Sequence, residues 1–266
     1  MPSSSALSCY DVNIVPGPCQ IGHHASIVIT VGIDVAAQPE RTAGCWIRWH
    51  KDGGTVERIE QPLDNDRLRS ILAEDSVDKV GIDVPLGWPS AFVNAVGAYH
   101  AGKRWPVGPT DDLIRRVTDW HVYKETQQLP LSVSTDRIAY PAMRVAAPLP
   151  VPTDRKGDGR IVEVYPAAAL RRWGLPWQRY KRKKGLGELG EVLRGLRQKA
   201  PWLGAEQRWW SWLEGRDDAF DALIACLVAR ARACALCDPI PSKYLAAAGA
   251  EGWIALPKED SLPDLP

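Results

Sequence analysis

The chain has 266 residues, of which 45% are apolar and 24% are charged, and its formal net charge is +1. These values are typical of a globular protein with its own hydrophobic core, and they exclude a low-complexity chain. No apolar run reaches the roughly 20 residues of a membrane span, and six scattered cysteines favour reduced thiols in the cytoplasm over a disulfide scaffold.

The two ends of the chain are expected to lie outside the main domain. Residues 1–26 mix Ser, Pro, Gly, Cys and paired His without periodicity, so they predict a disordered leader. They contain no basic start followed by an apolar stretch, and we therefore predict no signal peptide. A single domain is expected over residues 27–257, followed by a tail over 258–266.

Five segments with strand-like composition occur in the chain. They lie at residues 26–35, 42–50, 55–61, 79–84 and 160–165. The sequence Asp52-Gly53-Gly54 between the second and third segments is typical of a hairpin turn, so the first three strands are expected to form a meander. A further short strand is possible at residues 252–256.

Helices are predicted after the third, fourth and fifth strands. They are expected at residues 64–75, 90–101, 166–173, 187–199, 204–214 and 217–235. Residues 103–159 are irregular and rich in proline, with one helical patch at 111–124, which indicates an insertion or lid. The order of elements predicts an α/β fold, with a mixed sheet flanked by helices.

One pentapeptide, Val-Gly-Ile-Asp-Val, occurs at residues 31–35 and again at 80–84. Because side chains alternate along a strand, the glycine and the aspartate share one face and the three apolar residues share the other. If the two strands are parallel neighbours, Asp34 and Asp83 meet at the carboxyl ends of the strands, where open α/β sheets bind ligands. The glycine two positions earlier leaves room above that face.

The helix at residues 217–235 is almost wholly apolar after its first turns, which indicates that it is buried. Asp218 and Asp221 are three residues apart and share a face, and Ala222, Ala225 and Ala229 continue that face. We expect this helix to lie close to the sheet and to bring its two carboxylates near the two strand aspartates. Four converging carboxylates are stable around Mg²⁺ or Mn²⁺, and two such ions about 4 Å apart can hydrolyse phosphodiesters. Each aspartate taken alone also fits a structural role, at a strand end or at the positive end of the helix dipole.

The order of strand aspartate, hairpin, second strand aspartate and terminal Asp-x-x-Asp helix is similar to the ribonuclease-H-like nuclease superfamily. Over residues 29–257 the chain more specifically resembles a family of predicted nucleases with that fold, domain of unknown function 429. The matching segments are Gly32-Ile33-Asp34, Ile82-Asp83-Val84-Pro85-Leu86-Gly87-Trp88-Pro89, Arg116-Val117-Thr118-Asp119, Glu163-Val164-Tyr165-Pro166-Ala167, Tyr180-Lys181 and Asp218-Ala219-Phe220-Asp221-Ala222.

This resemblance implies a ribonuclease-H-like mixed sheet of five strands, in the order β-β-β-α-β-α-β-α, with an insertion at about 103–159. It implies that Asp34, on a central first strand, and Asp83 are metal ligands and catalytic residues. The ligand from the helix is Asp221 or Asp218, or both. Glu163 is a further catalytic candidate, although a strand glutamate paired with an arginine is the alternative.

The substrate is expected to be nucleic acid, either DNA or RNA. Residues 171–199 contain ten basic and two acidic residues, a local charge of +8, which can attract phosphates. Lys181 and Lys183 in this segment are candidate substrate-binding residues. Arg116 is a third candidate because its planar guanidinium suits a phosphate, but a structural pair with Asp119 fits equally well.

A metal-dependent nuclease is therefore the leading functional hypothesis. A non-catalytic module that binds nucleic acid or protein on the same fold is the first alternative. An actin-like phosphotransferase is less favoured, because the residues after Asp34 read Val-Ala-Ala-Gln-Pro and form no phosphate-binding loop. The sequence leaves the oligomeric state open, including a dimer.

Overall fold

A computed structural model describes residues 28–181 and 186–266, and these residues form six strands and ten helices. The strands are β1 (Val28–Asp34), β2 (Ala43–His50), β3 (Gly53–Glu60), β4 (Lys79–Asp83), β5 (Ile161–Glu163) and β6 (Leu203–Ala205). The helices are α1 (Asn65–Ala73), α2 (Ser90–His100), α3 (Asp111–Ile114), α4 (Val117–Thr126), α5 (Ala139–Ala146), α6 (Pro166–Arg172), α7 (Leu186–Lys199), α8 (Gln207–Glu214), α9 (Asp217–Ala233) and α10 (Leu245–Glu251). The predicted leader, residues 1–26, lies outside the described residues.

The strands form one mixed sheet in the order β5-β4-β1-β2-β3-β6. The first three strands are the predicted antiparallel meander, whereas β4 pairs in parallel with both β1 and β5. The mixed sheet flanked by helices is thus confirmed, but the expected number of five strands is wrong. The sixth strand is a three-residue edge strand parallel to β3, at the position where a helix was expected to begin.

The two copies of the pentapeptide lie side by side with the predicted division of faces. Val31, Ile33, Val80 and Ile82 face a core shared with α1 and α5, whereas the glycines face α9. The register pairs Gly32 with Gly81 and Asp34 with Asp83. The two aspartates therefore end neighbouring strands on the α9 side of the sheet.

Helix α9 crosses this face in close contact with the backbone of β1 and β4. It is buried without interruption from Ala219 to Ala231, as its apolar composition predicts. A Cβ atom at Gly32 would overlap the carbonyl oxygen of Ala222, and one at Gly81 would overlap the carbonyl oxygen of Ala225. The glycines of the repeat therefore set the distance between the sheet and α9.

The region predicted as an irregular insertion, residues 103–159, contains three helices and contributes to the core. Val122 of α4 packs in a small cluster with Ile254, and Ala142 and Val145 of α5 pack against the β1–β4 side of the sheet. The expected last strand at 252–256 is reduced to a single bridge from Ile254 to β5. Within the described ranges, no helix is both long and apolar enough to cross a membrane.

Candidate metal centre at the ends of β1 and β4

Three carboxylates meet at the carboxyl ends of β1 and β4. Asp34 and Asp83 are direct neighbours in the parallel register, and Asp221, in the second turn of α9, faces them from above the sheet. One carboxylate oxygen from each residue lies within 4.8 Å of the other two. The sequence-based prediction that Asp34, Asp83 and the terminal helix converge is therefore confirmed for these three residues.

The environment of the cluster disfavours three ionised carboxylates without a cation. Burial, followed by the charges of Asp221 and Asp83, holds the pKa of Asp34 well above its usual range. Burial also raises the pKa of Asp83 to about 7, even though the Lys181 ammonium acts in the opposite direction. The pKa of Asp221 is raised as well, chiefly by burial. A cation at this position would replace the protons that the cluster otherwise holds.

Two neighbouring residues orient Asp221. The Tyr180 hydroxyl donates a hydrogen bond of 2.7 Å to Asp221 Oδ1, and the Lys181 ammonium forms an ion pair with Asp221 Oδ2. Tyr180 is buried and packs edge-on against Phe220, whereas the Lys181 side chain is 49% exposed. Lys181, predicted to bind substrate, thus lies at the cluster, where its ammonium is paired with Asp221. The role of Tyr180 in orienting Asp221 was not predicted, although Tyr180-Lys181 is one of the segments that resemble the family.

The donor set fits a hard divalent cation. Mg²⁺ binds oxygen ligands at about 2.0–2.1 Å, so two ligands on opposite sides of one ion are about 4 Å apart. The ligand atoms of the three carboxylates all lie within 4.8 Å of one another, and they offer only oxygen, which is typical of Mg²⁺ and Mn²⁺ sites. Asp34, Asp83 and Asp221 are therefore the residues that would hold such an ion.

The structure corrects the prediction that Asp218 joins the cluster. Its carboxylate accepts hydrogen bonds from Arg41 at 2.7 and 3.2 Å and from Gln61 at 3.3 Å. Positions three residues apart on a helix differ by about 60° in direction. Because α9 lies directly on Gly32, Asp221 points to the strand ends, and Asp218 points to the segment that contains Arg41.

For Arg116 and Glu163 the structure agrees with the alternatives of a structural pair. The Arg116 guanidinium binds both oxygens of Glu163, at 2.7 and 2.9 Å, and Asp119 at 2.8 Å. These side chains are at most 2% exposed and are already paired with each other, so their charges are largely satisfied within the protein. Glu163 also accepts a hydrogen bond of 2.9 Å from the backbone N–H of Leu86. The network thereby fixes the loop that follows Asp83, which is a structural role.

The remaining predicted site residue, Lys183, lies outside the described residues. Of the eight candidates, the structure thus brings four together, namely Asp34, Asp83, Asp221 and Lys181. It places Asp218, Arg116 and Glu163 in separate polar contacts.

A cavity of about 720 Å³ lies beside the cluster. Asp83 and Lys181 line it on the side of the cluster, together with the buried Arg116–Glu163 pair. Its other walls come from Tyr165, the loop after α4, the segment before α5, and residues 177–180. The carboxylate centre therefore borders a concave, partly open space that is large enough for a small ligand.

The sequence model of the family described as "Protein of unknown function (DUF429)" matches residues 32–151 and 148–244, which together make up most of the chain. No curated protein and no solved structure shows significant similarity to the chain.

Proposed function

The chain belongs to the family described as "Protein of unknown function (DUF429)", and we propose that it is a metal-dependent nuclease that hydrolyses phosphodiester bonds. The observation that carries this proposal is the convergence of Asp34, Asp83 and Asp221 within 4.8 Å beside a lysine and a cavity. The cofactor in this proposal is Mg²⁺ or Mn²⁺, and the partner is DNA or RNA.

The position of the cluster in the sheet supports the proposal. The first strand is central, its aspartate lies at the carboxyl end, and the second aspartate comes from the parallel neighbour β4. This arrangement agrees with the one implied by the resemblance to ribonuclease-H-like nucleases. The resemblance is an argument from fold, so the chemistry depends on the site itself.

Each side chain of the centre has a defined task in the proposed reaction. A divalent ion held by Asp34, Asp83 and Asp221 would supply a lowered pKa for an attacking water and compensation for the charge that develops on the phosphate. Asp34 and Asp83 provide ligands from rigid strands, and Tyr180 and Lys181 hold the third ligand, Asp221, in one orientation. The Lys181 ammonium, which has three N–H donors, could bind a phosphate oxygen of the substrate while it remains paired with Asp221. Three carboxylates suffice for one ion, and a mechanism with two ions needs further ligands from the substrate.

A binding module without hydrolytic activity is the second candidate. The observation that favours it is the ion pair between Lys181 and Asp221, because an internal ammonium group already balances part of the cluster charge. In such a module the same cavity would bind a ligand without cleaving it.

We further propose that the protein works in the cytoplasm. Cys45, Cys226 and Cys237 are free, buried thiols, which is the state expected in a reducing compartment. The oligomeric state, including a dimer, stays open.

A cleavage assay tests the proposed function. Labelled single-stranded, duplex, branched and hybrid substrates are incubated with the protein in Mg²⁺, Mn²⁺ or EDTA. Cleavage that requires the metal, and that Asp34→Asn and Asp221→Asn both abolish, would support the proposal. Asp218→Asn should retain most of the activity because its carboxylate lies outside the cluster, and Asp66→Asn, which changes an exposed carboxylate on α1, serves as the matched control.

Other outcomes discriminate between the candidates. Cleavage that persists in both cluster variants would point to a contaminating nuclease and reject the site. Absence of cleavage on every substrate, combined with calorimetric binding of Mn²⁺, would favour the binding module.

A further inference from the structure

The cavity beside the carboxylate cluster has the size of a small-molecule pocket and is open to solvent on one side. Its volume of about 720 Å³ falls within the range of roughly 300–1,000 Å³ that is typical of pockets for ligands of this class. A paired duplex keeps its bases in the stack and offers none to a pocket of this size unless a base is flipped out. The size therefore favours a single small unit as the occupant.

The walls of the cavity include aromatic rings suited to a planar group. Trp177 and Tyr165 both line it and are partly buried. The guanidinium of Arg171 lies 5.1 Å from the Trp177 ring centroid and supports the indole. Burial, followed by the charge of Asp83, raises the pKa of Tyr165 to about 12, so its hydroxyl remains a hydrogen-bond donor at neutral pH. Aromatic side chains of this kind stack on any nucleobase.

The cavity also contains cationic groups without anionic partners. Arg137 and Arg179 line it, and neither forms an ion pair with another residue of the described ranges. Arg179 has a φ of +63°, a left-handed conformation that is unfavourable for an arginine and is typical of residues held in place near functional sites. Together with Lys181 at the boundary with the cluster, these groups favour an anionic ligand, and a phosphate suits the planar fork of arginine.

Two amide side chains also belong to the walls of the cavity. Gln128 and Gln178 line the same cavity, and each amide offers both donors and an acceptor. Aromatic faces, amide groups and unpaired cations around one cavity match the three parts of a nucleotide, which are its planar base, its polar base edge and its phosphate. Arg137, Gln178 and Arg179 are exposed, so they can reach a ligand without first losing another partner.

We infer that this cavity binds one unpaired nucleotide, with the base against Trp177 and the phosphate toward Lys181 and the carboxylate cluster. The inference rests on the proposed function for the direction of the phosphate. It assigns the substrate class as nucleotides that lie outside a double helix. The nucleotide is either part of a single strand or a free nucleoside phosphate, and the two sources have the same chemistry.

Equilibrium binding to fluorescent oligonucleotides tests this inference without relying on turnover. The full-length protein is titrated, in Ca²⁺ and separately in EDTA, with a single strand, its blunt duplex and the same single strand made of abasic nucleotides. We expect the natural single strand to bind at least about fivefold more tightly than the abasic strand, which is the lower bound for one stacked base. We expect the duplex to bind as weakly as the abasic strand or more weakly.

Variants assign the effect to the cavity. Trp177→Ala should remove the difference between natural and abasic strands, and Trp177→Phe should retain it. Trp120→Ala, which removes an exposed tryptophan outside the cavity, is the matched control and should change nothing. Arg179→Gln, which leaves the aromatic wall intact, should weaken binding and reduce the dependence of log affinity on log salt by about one.

The outcomes separate this inference from the proposed function. Equal binding of natural and abasic strands, tight binding of the blunt duplex, or no binding of any probe would overturn the inference, even if cleavage is observed. Base-dependent binding that requires Trp177, without cleavage of any substrate, would support the cavity and reject the nuclease. Competition by free nucleoside monophosphates then identifies the source, because strand-specific binding would resist them and binding of a free nucleotide would not.

Discussion

Replacement of Asp83 by asparagine should stabilise the metal-free protein, although it removes a proposed metal ligand. In the folded state the pKa of Asp83 is about 7, compared with the usual value of 3.8. A group whose pKa is raised by folding stabilises the fold below its unfolded pKa, and this contribution is lost as the pH rises through the folded pKa. Ionised Asp83 therefore destabilises the metal-free protein above pH 7, and a neutral amide of the same shape does not.

The magnitude follows from the two pKa values. A shift from 3.8 to about 7 corresponds to about 4 kcal/mol of unfolding free energy at about 1.4 kcal/mol per pH unit. Asp34 and Asp221 titrate together with Asp83, so the shift of Asp83 alone overstates the effect of replacing it. We therefore expect Asp83→Asn to raise the free energy of unfolding by about 2–4 kcal/mol at pH 8. The gain should build up between pH 4 and pH 7 and remain constant above that interval.

Urea denaturation in EDTA at several pH values between 4 and 8 measures this effect. Asp66→Asn is the matched control and should give no gain, because that carboxylate is exposed on α1 away from the cluster. Saturating Mn²⁺ should stabilise the wild type by about 2.7 kcal/mol at a hundredfold excess over the dissociation constant, and should stabilise Asp83→Asn much less. A difference between Asp83→Asn and wild type that does not vary with pH, or a loss of stability at pH 8, would refute the electrostatic argument.

The remaining predictions concern the parts that support the centre, and urea denaturation tests both. Gly32→Ala should destabilise the fold by about 3 kcal/mol or more, because the new methyl group overlaps the Ala222 carbonyl oxygen. The control is Gly97→Ala on helix α2, where nothing lies within 4 Å of the new methyl group, and it should be neutral or stabilising. Equal effects of the two substitutions would contradict the packing argument. Arg116→Ala should lower the free energy of unfolding by about 3–5 kcal/mol, because it leaves the buried carboxylates of Asp119 and Glu163 without their cation. Arg69→Ala, which breaks an exposed pair, should have little effect, and a small loss for Arg116→Ala would refute the structural role of the network.

Much of the metal centre could be predicted from local patterns. The repeat of Val-Gly-Ile-Asp-Val determined which residues share a face, because side chains alternate along any strand. Its two copies indicated that Asp34 and Asp83 belong together, and the largely apolar composition of residues 219–231, broken by Asp221 and Arg230, indicated a buried helix. These features depend on the backbone geometry of single strands and helices, so the sequence of each short segment is sufficient to predict them.

The choice between Asp218 and Asp221 could not be predicted from their spacing. Both lie on one side of α9, and the rotation of the helix about its axis decides which of them reaches the strand ends. That rotation is set by the contact of Gly32 with Ala222, between segments that are distant in the chain. The same limit applies to the edge strand Leu203–Ala205, whose only sheet partner is β3 and whose three residues carry no periodicity.

The sequence by itself determined five of the six strands, the buried helix and the positions of the two strand aspartates, because each follows from a local pattern. Only the tertiary structure decided that Arg116 neutralises Glu163, 47 residues away, and that Asp218 lies outside the cluster. It alone also brought Trp177, Arg137 and Lys181 to the walls of one cavity. These placements depend on the packing of side chains from separate segments, and no local period in the chain encodes that packing.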